Sequence, residues 1–447
     1  VAFFIRAMPR QSEDQPMTLP NPPSRRAFLK TAAGTLATVA AARLALPGGA
    51  WAATPGTPEV TGAKLGYIAL TDSAPLVIAA EKGLFAKYGM PDVLVEKQAS
   101  WGATRDNMAL GSGGGGIDGG HILRPKVHLY STGSVMQGGQ GLPMYTLLNL
   151  NEDGQGLSVR QDYADSGVGL DSAPLREIFA ARRAAGQEIP VAMTFPGGTH
   201  DLWMRYWLAA GGIDPTTDVD LIVVPPPQMV ANMKVGNMEA FCVGEPWNEQ
   251  LVNQRIGFTA ATTGELWSRH PEKVLGMRAD WVDANPNATI AIMMAVMEAQ
   301  IWCDAPENKQ EMAEIVGRRQ WYNVPVADIV GRIQGRINYG RDRIEDRPDL
   351  AMKFWGEAGE TSYPWKSLDA WFITENKRWG YLPGDLDTAA LVDRTNRSDL
   401  WLAAAAGLGL NPGFGDSRGV ETFFDGATFD PADPGAYLDA QSIKAMV

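Results

Sequence analysis

Two spacings of apolar residues alternate along most of this chain. Short extended apolar runs end at Gly, Pro, Asp or Ser. They are followed by stretches whose apolar residues recur every three or four positions, which predicts strands alternating with helices. A strand is expected over 64–70. Thr71, Asp72 and Ser73 then offer helix caps, and Pro75 falls in the first turn of a helix, where its missing N–H costs little. A second strand is expected over 92–96, a second helix over 101–110 and an apolar strand over 144–150. A further set runs from Leu157 to about Val243, with strands over 191–195, 220–224 and 240–243 and helices starting near His200 and Gln228. Beyond Val274 the periodicity is mostly helical, over 287–302, 307–318, 326–337 and 366–378. The last stretch, 407–447, is rich in Gly, Pro and Asp and is expected to wrap the surface.

This alternation implies an α/β architecture with largely parallel sheets. The polar, glycine-bearing segment 151–156 reads as a crossing between two lobes. Glu245-Pro246-Trp247-Asn248 reads as the return, because Pro246 fixes one end of a new helix. The expected division is a first lobe of 53–153 plus 249–447, carrying a helical C-terminal extension, and a second lobe of 154–248, with a cleft between them.

Residues 1–52 read as an export leader. Ser24-Arg25-Arg26-Ala27-Phe28-Leu29-Lys30 resembles a twin-arginine signature, an Ala/Thr/Gly-rich stretch follows, and Ala50-Trp51-Ala52 fits a small-x-small cleavage site. The stretch is interrupted by Arg43 and is too short and weakly apolar to span a bilayer stably. The chain carries a net charge of −12, and the leader is basic, so the remainder is more acidic still. Such a chain is a poor partner for nucleic acid or anionic membrane, and an anion site on it must be a local, preorganised pocket. Cys242 and Cys303 suit neither a disulfide scaffold nor a metal cluster. The run Gly113-Gly114-Gly115-Gly116 lacks the Lys-Ser/Thr of a phosphate loop, and no nucleophile elbow, metal-spaced His/Cys set or dinucleotide fingerprint is present. The residues therefore show no motif for a metal, a cofactor or a catalytic nucleophile.

One turn carries chemistry on its own. The apolar run ending at Phe195 breaks at Pro196-Gly197-Gly198 and restarts as a helix at Thr199 or His200. Free backbone N–H groups and the positive end of the helix dipole suit such a turn to a small anion. Elsewhere the residues alone leave plainer roles open. Trp101 can be packing at a helix start, Gln155 can satisfy backbone at the crossing, His200 can be a cap, and Lys273 can be a solvated surface residue. His121, beside two glycines, reads as structural.

Seven segments, in order, resemble the nitrate-binding and bicarbonate-binding receptors of ABC importers. They are 66–77, Ala99-Ser100-Trp101-Gly102, 116–123, Gly154-Gln155, 195–207, 244–248 and 266–273. The resemblance implies a two-lobed clamp, like the type II periplasmic binding proteins, that closes on one small planar anion and delivers it to an inner-membrane permease; it implies a binding protein without cofactor, not an enzyme. It also implies an anion pocket of Trp101, Gln155, His200 and Lys273, with Thr199, Gly198 and Glu245 as secondary candidates. Nitrate is flat and purely an acceptor, so each polar wall group is expected to be a donor, with Lys273 supplying the compensating charge. In the bicarbonate-binding branch an acidic residue replaces this lysine and works with calcium. Lys273 therefore points to nitrate, and nitrite with it, without metal. Bicarbonate carries an O–H and needs an acceptor, for which Glu245 is the nearby candidate. A cytoplasmic nitrate sensor that controls a partner protein, a periplasmic redox enzyme and a receptor for an organic ligand such as a sulfonate are the competing readings; the leader, the missing cofactor ligands and the donor-only pocket weigh against them in turn.

Overall fold

Residues 56–445 are described by the structure, a computed structural model. The expected leader over 1–52 lies outside them. Ten strands build two five-stranded sheets. In chain order these are β1 (Lys64–Tyr67), β2 (Leu94–Lys97), β3 (Gly119–Leu123), β4 (Met144–Asn149) and β5 (Gln155–Arg160). They continue with β6 (Pro190–Met193), β7 (Asp220–Val223), β8 (Ala240–Gly244), β9 (Gly257–Thr262) and β10 (Lys273–Arg278). The first sheet has the order β2-β1-β3-β10-β4 and the second β7-β6-β8-β5-β9.

Each sheet contains one strand that runs against the other four, where a largely parallel arrangement was expected. β10 is antiparallel to β3 and β4, and β5 is antiparallel to β8 and β9. The cause is the way the chain changes lobes. β4 leaves the first sheet at the carboxyl end of its parallel strands, and the chain passes straight into β5 with no crossover helix to turn it round. β9 hands over to β10 through a single helical turn, Thr263–Leu266, that is too short to act as a crossover helix. The first residues of the two reversed strands, Gln155 and Lys273, therefore lie at the same edge as the carboxyl ends of the parallel strands. That edge is where ligands of open α/β sheets bind.

The expected lobe boundaries change in two respects. β9 pairs with β5, with Gly156 opposite Thr262, so the second lobe runs on to Thr262 and the return crossing follows it instead of falling at 248. The helix after Pro246, Trp247–Asn253, connects β8 to β9 within that lobe. The C-terminal part is also not confined to the first lobe. In the helix Lys366–Arg378, Trp371 stacks on Trp203 of the second lobe at a centroid separation of 5.2 Å, while Asp369 accepts a bond from Arg124 of the first lobe at 2.8 Å. Phe423 of the tail is buried against Trp267, so an expected surface wrap is anchored in an aromatic cluster.

The helix Pro286–Asp304 is buried on nearly every face, packed between Ala74–Glu81 and Ser398–Gly407, which accounts for its Ala, Ile and Met content. The expected helix over 326–337 does not form as one piece. A one-turn helix, Val330–Ile333, is stopped at Gly335 (φ +81°), and the chain turns into the strand Arg336–Gly340 with Ile337 and Tyr339 buried at alternate positions. Among the described residues no single helix is long and apolar enough to cross a membrane.

Candidate anion-binding site

The elements that meet at the cleft place each candidate residue through local rules. Ser100 caps the helix Trp101–Leu110 by accepting from the Ala103 N–H at 3.1 Å, which sets Trp101 at the first helical position. Gln155 opens β5 and Lys273 opens β10. Thr199 and His200 begin the helix Thr199–Ala210 that follows β6. All five side chains are buried, although they come from both sheets, so the cleft is shut over them. The plain reading of Lys273 as a solvated lysine fails: its side chain is 0% exposed.

Three of these side chains carry a polar atom with no hydrogen-bond partner in the protein: Trp101 Nε1, one end of the Gln155 amide and His200 Nε2, the last 3.3 Å from the Glu272 carboxylate. The protonation pattern follows from donors that have no choice. The Trp203 indole N–H can only donate, and it donates to His270 Nε2, so neutral His270 carries its proton on Nδ1. That Nδ1 lies 3.5 Å from the Gln155 amide. The carbonyl oxygen of Gln155 is the group that belongs there, which turns its NH2 toward the cleft as a donor. His200 Nδ1 pairs with the Thr194 hydroxyl. With that hydroxyl donating, His200 presents Nε2–H to the cleft. His200 is thus not a cap; Gly198 occupies the N-cap position and no side chain caps this helix.

The donor-only wall expected for nitrate is not what surrounds Lys273. Its ammonium donates to Asp72 Oδ2 at 2.8 Å and also to Glu272 Oε1. Asp72 accepts in addition from His121 Nε2 at 2.6 Å, while Glu272 Oε1 accepts from the Thr199 hydroxyl at 3.0 Å and lies 3.3 Å from His200 Nε2. Glu272 Oε2 accepts no hydrogen bond and lies 3.6 Å from His270 Nδ1. Neither carboxylate was singled out from sequence. Asp72 reads there as a helix cap and Glu272 as the neighbour of a lysine, and only the register of β10 against β3 brings them to one ammonium. His121, taken as structural, holds Asp72 in place.

Charge in this buried cluster is set by burial working against pairing. Burial acts to raise Asp72, but the ammonium of Lys273 and the ring of His121 outweigh it and hold the carboxyl at about 2. Burial raises Glu272, and Lys273 only partly offsets that. Burial tends to lower Lys273, yet the two carboxylates carry it above its ordinary value, so it stays charged. Burial, reinforced by Lys273, holds His200 well below the ordinary imidazole value. Burial takes His270 to about 3 against the pull of Glu272. Both rings are neutral at pH 7.

The secondary candidates separate. The Thr199 hydroxyl is in the cluster, bound to Glu272. Gly198 uses its N–H on the Phe195 carbonyl at 3.0 Å and offers no free donor; its need for glycine is steric, because a Cβ there would come 2.7 Å from Leu123 Cδ1 of the other lobe. Glu245 turns away from the cluster. Its carboxylate lies 3.4 Å from Arg332 and accepts from the Glu249 N–H at 3.1 Å, while only its carbonyl oxygen reaches the wall, accepting from the Thr71 N–H at 2.8 Å. The acceptor expected of Glu245 is Glu272 instead. Cys242 and Cys303 are both buried free thiols. Among the described residues no group of three or more His, Cys, Asp or Glu side chains is placed to share a metal ion. Between Asp72 and Glu272, the position a cation would take holds the Lys273 ammonium.

Residues 56–317 match the NMT1-like family. The chain is 52% identical to the nitrate/nitrite binding protein NrtA of Synechococcus elongatus over 95% of this chain and 99% of that protein. It is 44% identical to the bicarbonate-binding protein CmpA of the same organism, over 86% of this chain and 88% of that one. The crystal structure of the periplasmic nitrate-binding protein NrtA from Synechocystis PCC 6803 superposes with a TM-score of 0.83 at 57% identity, covering 87% of this chain and all of that one.

Proposed function

This chain belongs to the NMT1-like family, and from that premise we propose that it is a periplasmic solute-binding protein that captures nitrate, and nitrite with it, for an ABC importer. Export by the twin-arginine route and delivery to an inner-membrane permease are part of the proposal. The observation that carries it is a buried ammonium, Lys273, at a cleft edge where Trp101 Nε1, one end of the Gln155 amide and His200 Nε2 have no hydrogen-bond partner in the protein. An enclosed anion made only of acceptors would satisfy all three, and nothing in the set calls for catalysis. Closure follows because an anion touching both lobes stabilises the shut form over the open one. Nitrate has four heavy atoms, and at the ceiling of about −1.5 kcal/mol per atom its Kd falls at some tens of μM; charge-assisted hydrogen bonds tighten that figure.

Bicarbonate is the second reading, and Glu272 is the reason for it. Its Oε2, which accepts no hydrogen bond from the protein, is the acceptor that a bicarbonate O–H requires. A thermal-shift panel of nitrate, nitrite, sulfate and bicarbonate with and without calcium separates the two, followed by calorimetry on whichever anion stabilises the protein. Stabilisation by nitrate and nitrite without metal is expected. A response confined to bicarbonate overturns the nitrate reading, and no response to any of them overturns both.

A further inference from the structure

The lysine expected to neutralise the anion is already engaged by Asp72 and Glu272. With both carboxylates ionised, the three groups carry one net negative charge before any anion enters. Enclosing a second negative charge there is unfavourable without another cation.

A second lysine lies against the same tryptophan ring. Lys126 follows β3 and opens the helix Lys126–Thr132. Its side chain is fully buried, and its ammonium makes one hydrogen bond, to the Trp101 carbonyl oxygen at 2.8 Å. It sits 4.7 Å from the centroid of the Trp101 ring, which also has Lys273 at 5.9 Å and the His121 ring at 5.3 Å. Phe195, from the second lobe, covers it at 3.9 Å, and Tyr130 stands 5.4 Å away. Among the described residues no carboxylate comes within ion-pair distance of it. An ammonium has three donors, and aromatic faces offset only part of the cost of burying one.

We propose that Lys126 is a second anion-facing cation of this site, supplying the positive charge that Asp72 and Glu272 withdraw from Lys273. The proposal rests on the anion-capture reading. The charged and titratable groups around Lys126 are Arg105 and Asp106 on the Trp101 helix, Lys273 on β10, His200 on the helix after β6 and Tyr130 on its own helix. Burial, with Arg105 and Lys273 acting the same way against Asp106, pushes the Lys126 amine well below its ordinary value in the empty closed protein. An enclosed anion reverses that push. The second lobe can shut over this amine at low cost only when an anion is shut in with it.

The test compares Lys126→Met, which roughly conserves volume, with Lys126→Arg, which conserves charge, by nitrate calorimetry and by melting of the empty protein. Lys126→Met is expected to weaken nitrate by about tenfold or more, while the empty protein melts no lower than wild type, because a buried charge with one partner has been removed. Lys126→Arg is expected to bind nitrate more tightly than Lys126→Met. A packing role would lower the melting temperature and the affinity together. Wild-type affinity in Lys126→Met, or equal affinity in the two variants, overturns the proposal. A crystal structure of wild type with nitrate provides a measurement free of variants: the ammonium is expected within about 6 Å of a nitrate oxygen, and a clearly larger separation overturns it. If wild type binds no nitrate at all, the capture reading fails and this inference falls with it. If wild type binds and the variants match it, only this inference fails.

Discussion

The Lys273 ammonium donates to the Asp72 carboxylate over 2.8 Å, joining the start of β10 to the turn that follows β1. That bond makes Lys273 a structural residue and a candidate anion ligand at once. It also means that the cation of the site is not idle before an anion arrives.

Lys273→Ala is therefore expected to have two effects. Nitrate binding is lost, because the remaining ammonium, Lys126, cannot offset both an anion and two uncompensated carboxylates. The empty protein is also destabilised by about 3–5 kcal/mol, because Asp72 and Glu272 are left buried and uncompensated. Calorimetry reads the first effect and urea denaturation the second. An unchanged nitrate affinity would remove Lys273 from the site.

Glu272→Gln keeps an acceptor for the Thr199 hydroxyl and removes one negative charge from beside the anion. Nitrate affinity at pH 7 is expected to tighten by about tenfold. If wild type responds to bicarbonate, that response should vanish in the same variant. Weaker nitrate binding in Glu272→Gln would show that the carboxylate helps to hold the anion.

Trp101→Phe removes an indole N–H that no protein group uses. Nitrate affinity is expected to drop about tenfold. Trp401→Phe serves as the control: it removes a comparable buried ring, whose N–H bonds to Ser362 at 3.1 Å, from the first-lobe core. That variant should lose stability and keep its nitrate affinity. Equal losses of affinity in the two variants would mean that Trp101 acts by packing.

The buried neutral histidines give the site a pH signature. Burial holds His270 at about 3, so below the ordinary value of about 6.5 the unfolded chain takes up a proton that the folded chain refuses. Its stabilising contribution is whole above about pH 6.5 and is lost as the pH falls toward 3, by about 1.4 kcal/mol per unit. Buried carboxyls such as Glu245, raised by burial to about 7, act in the opposite sense on the total. The measurement is thus a difference: the stability advantage of wild type over His270→Gln should shrink as the pH drops from 6.5. An advantage independent of pH would mean that His270 is charged in the folded protein.

Much of the local structure is readable from the chain. The helices Trp101–Leu110 and Lys366–Arg378 fall where periodicity puts them, because that signal lies within the helices themselves. The strand–turn–helix at Pro196-Gly197-Gly198 is visible for the same reason. β5, β9 and β10 are harder to see. Their residues are not marked by strong alternation, and their place is set by pairing with strands far away in sequence. The helix expected over 326–337 fails at Gly335, where burial of Ile337 and Tyr339 on a hairpin outweighs the local helical period.

The same division runs through the site. Trp101, Gln155, His200 and Lys273 stand in motifs that the chain displays, each at the first or second residue of an element, but it is the reversal of β5 and β10 that brings Gln155 and Lys273 to the edge where the helices of Trp101 and His200 begin. The surroundings of Lys273 are a tertiary matter. Asp72 lies two hundred residues away from it in sequence, Lys126 belongs to a different helix from Trp101, and Glu245 points toward Arg332 rather than inward. Which charges share a buried volume depends on strand register and on how the lobes close, and these arise from long-range contacts that no local pattern encodes.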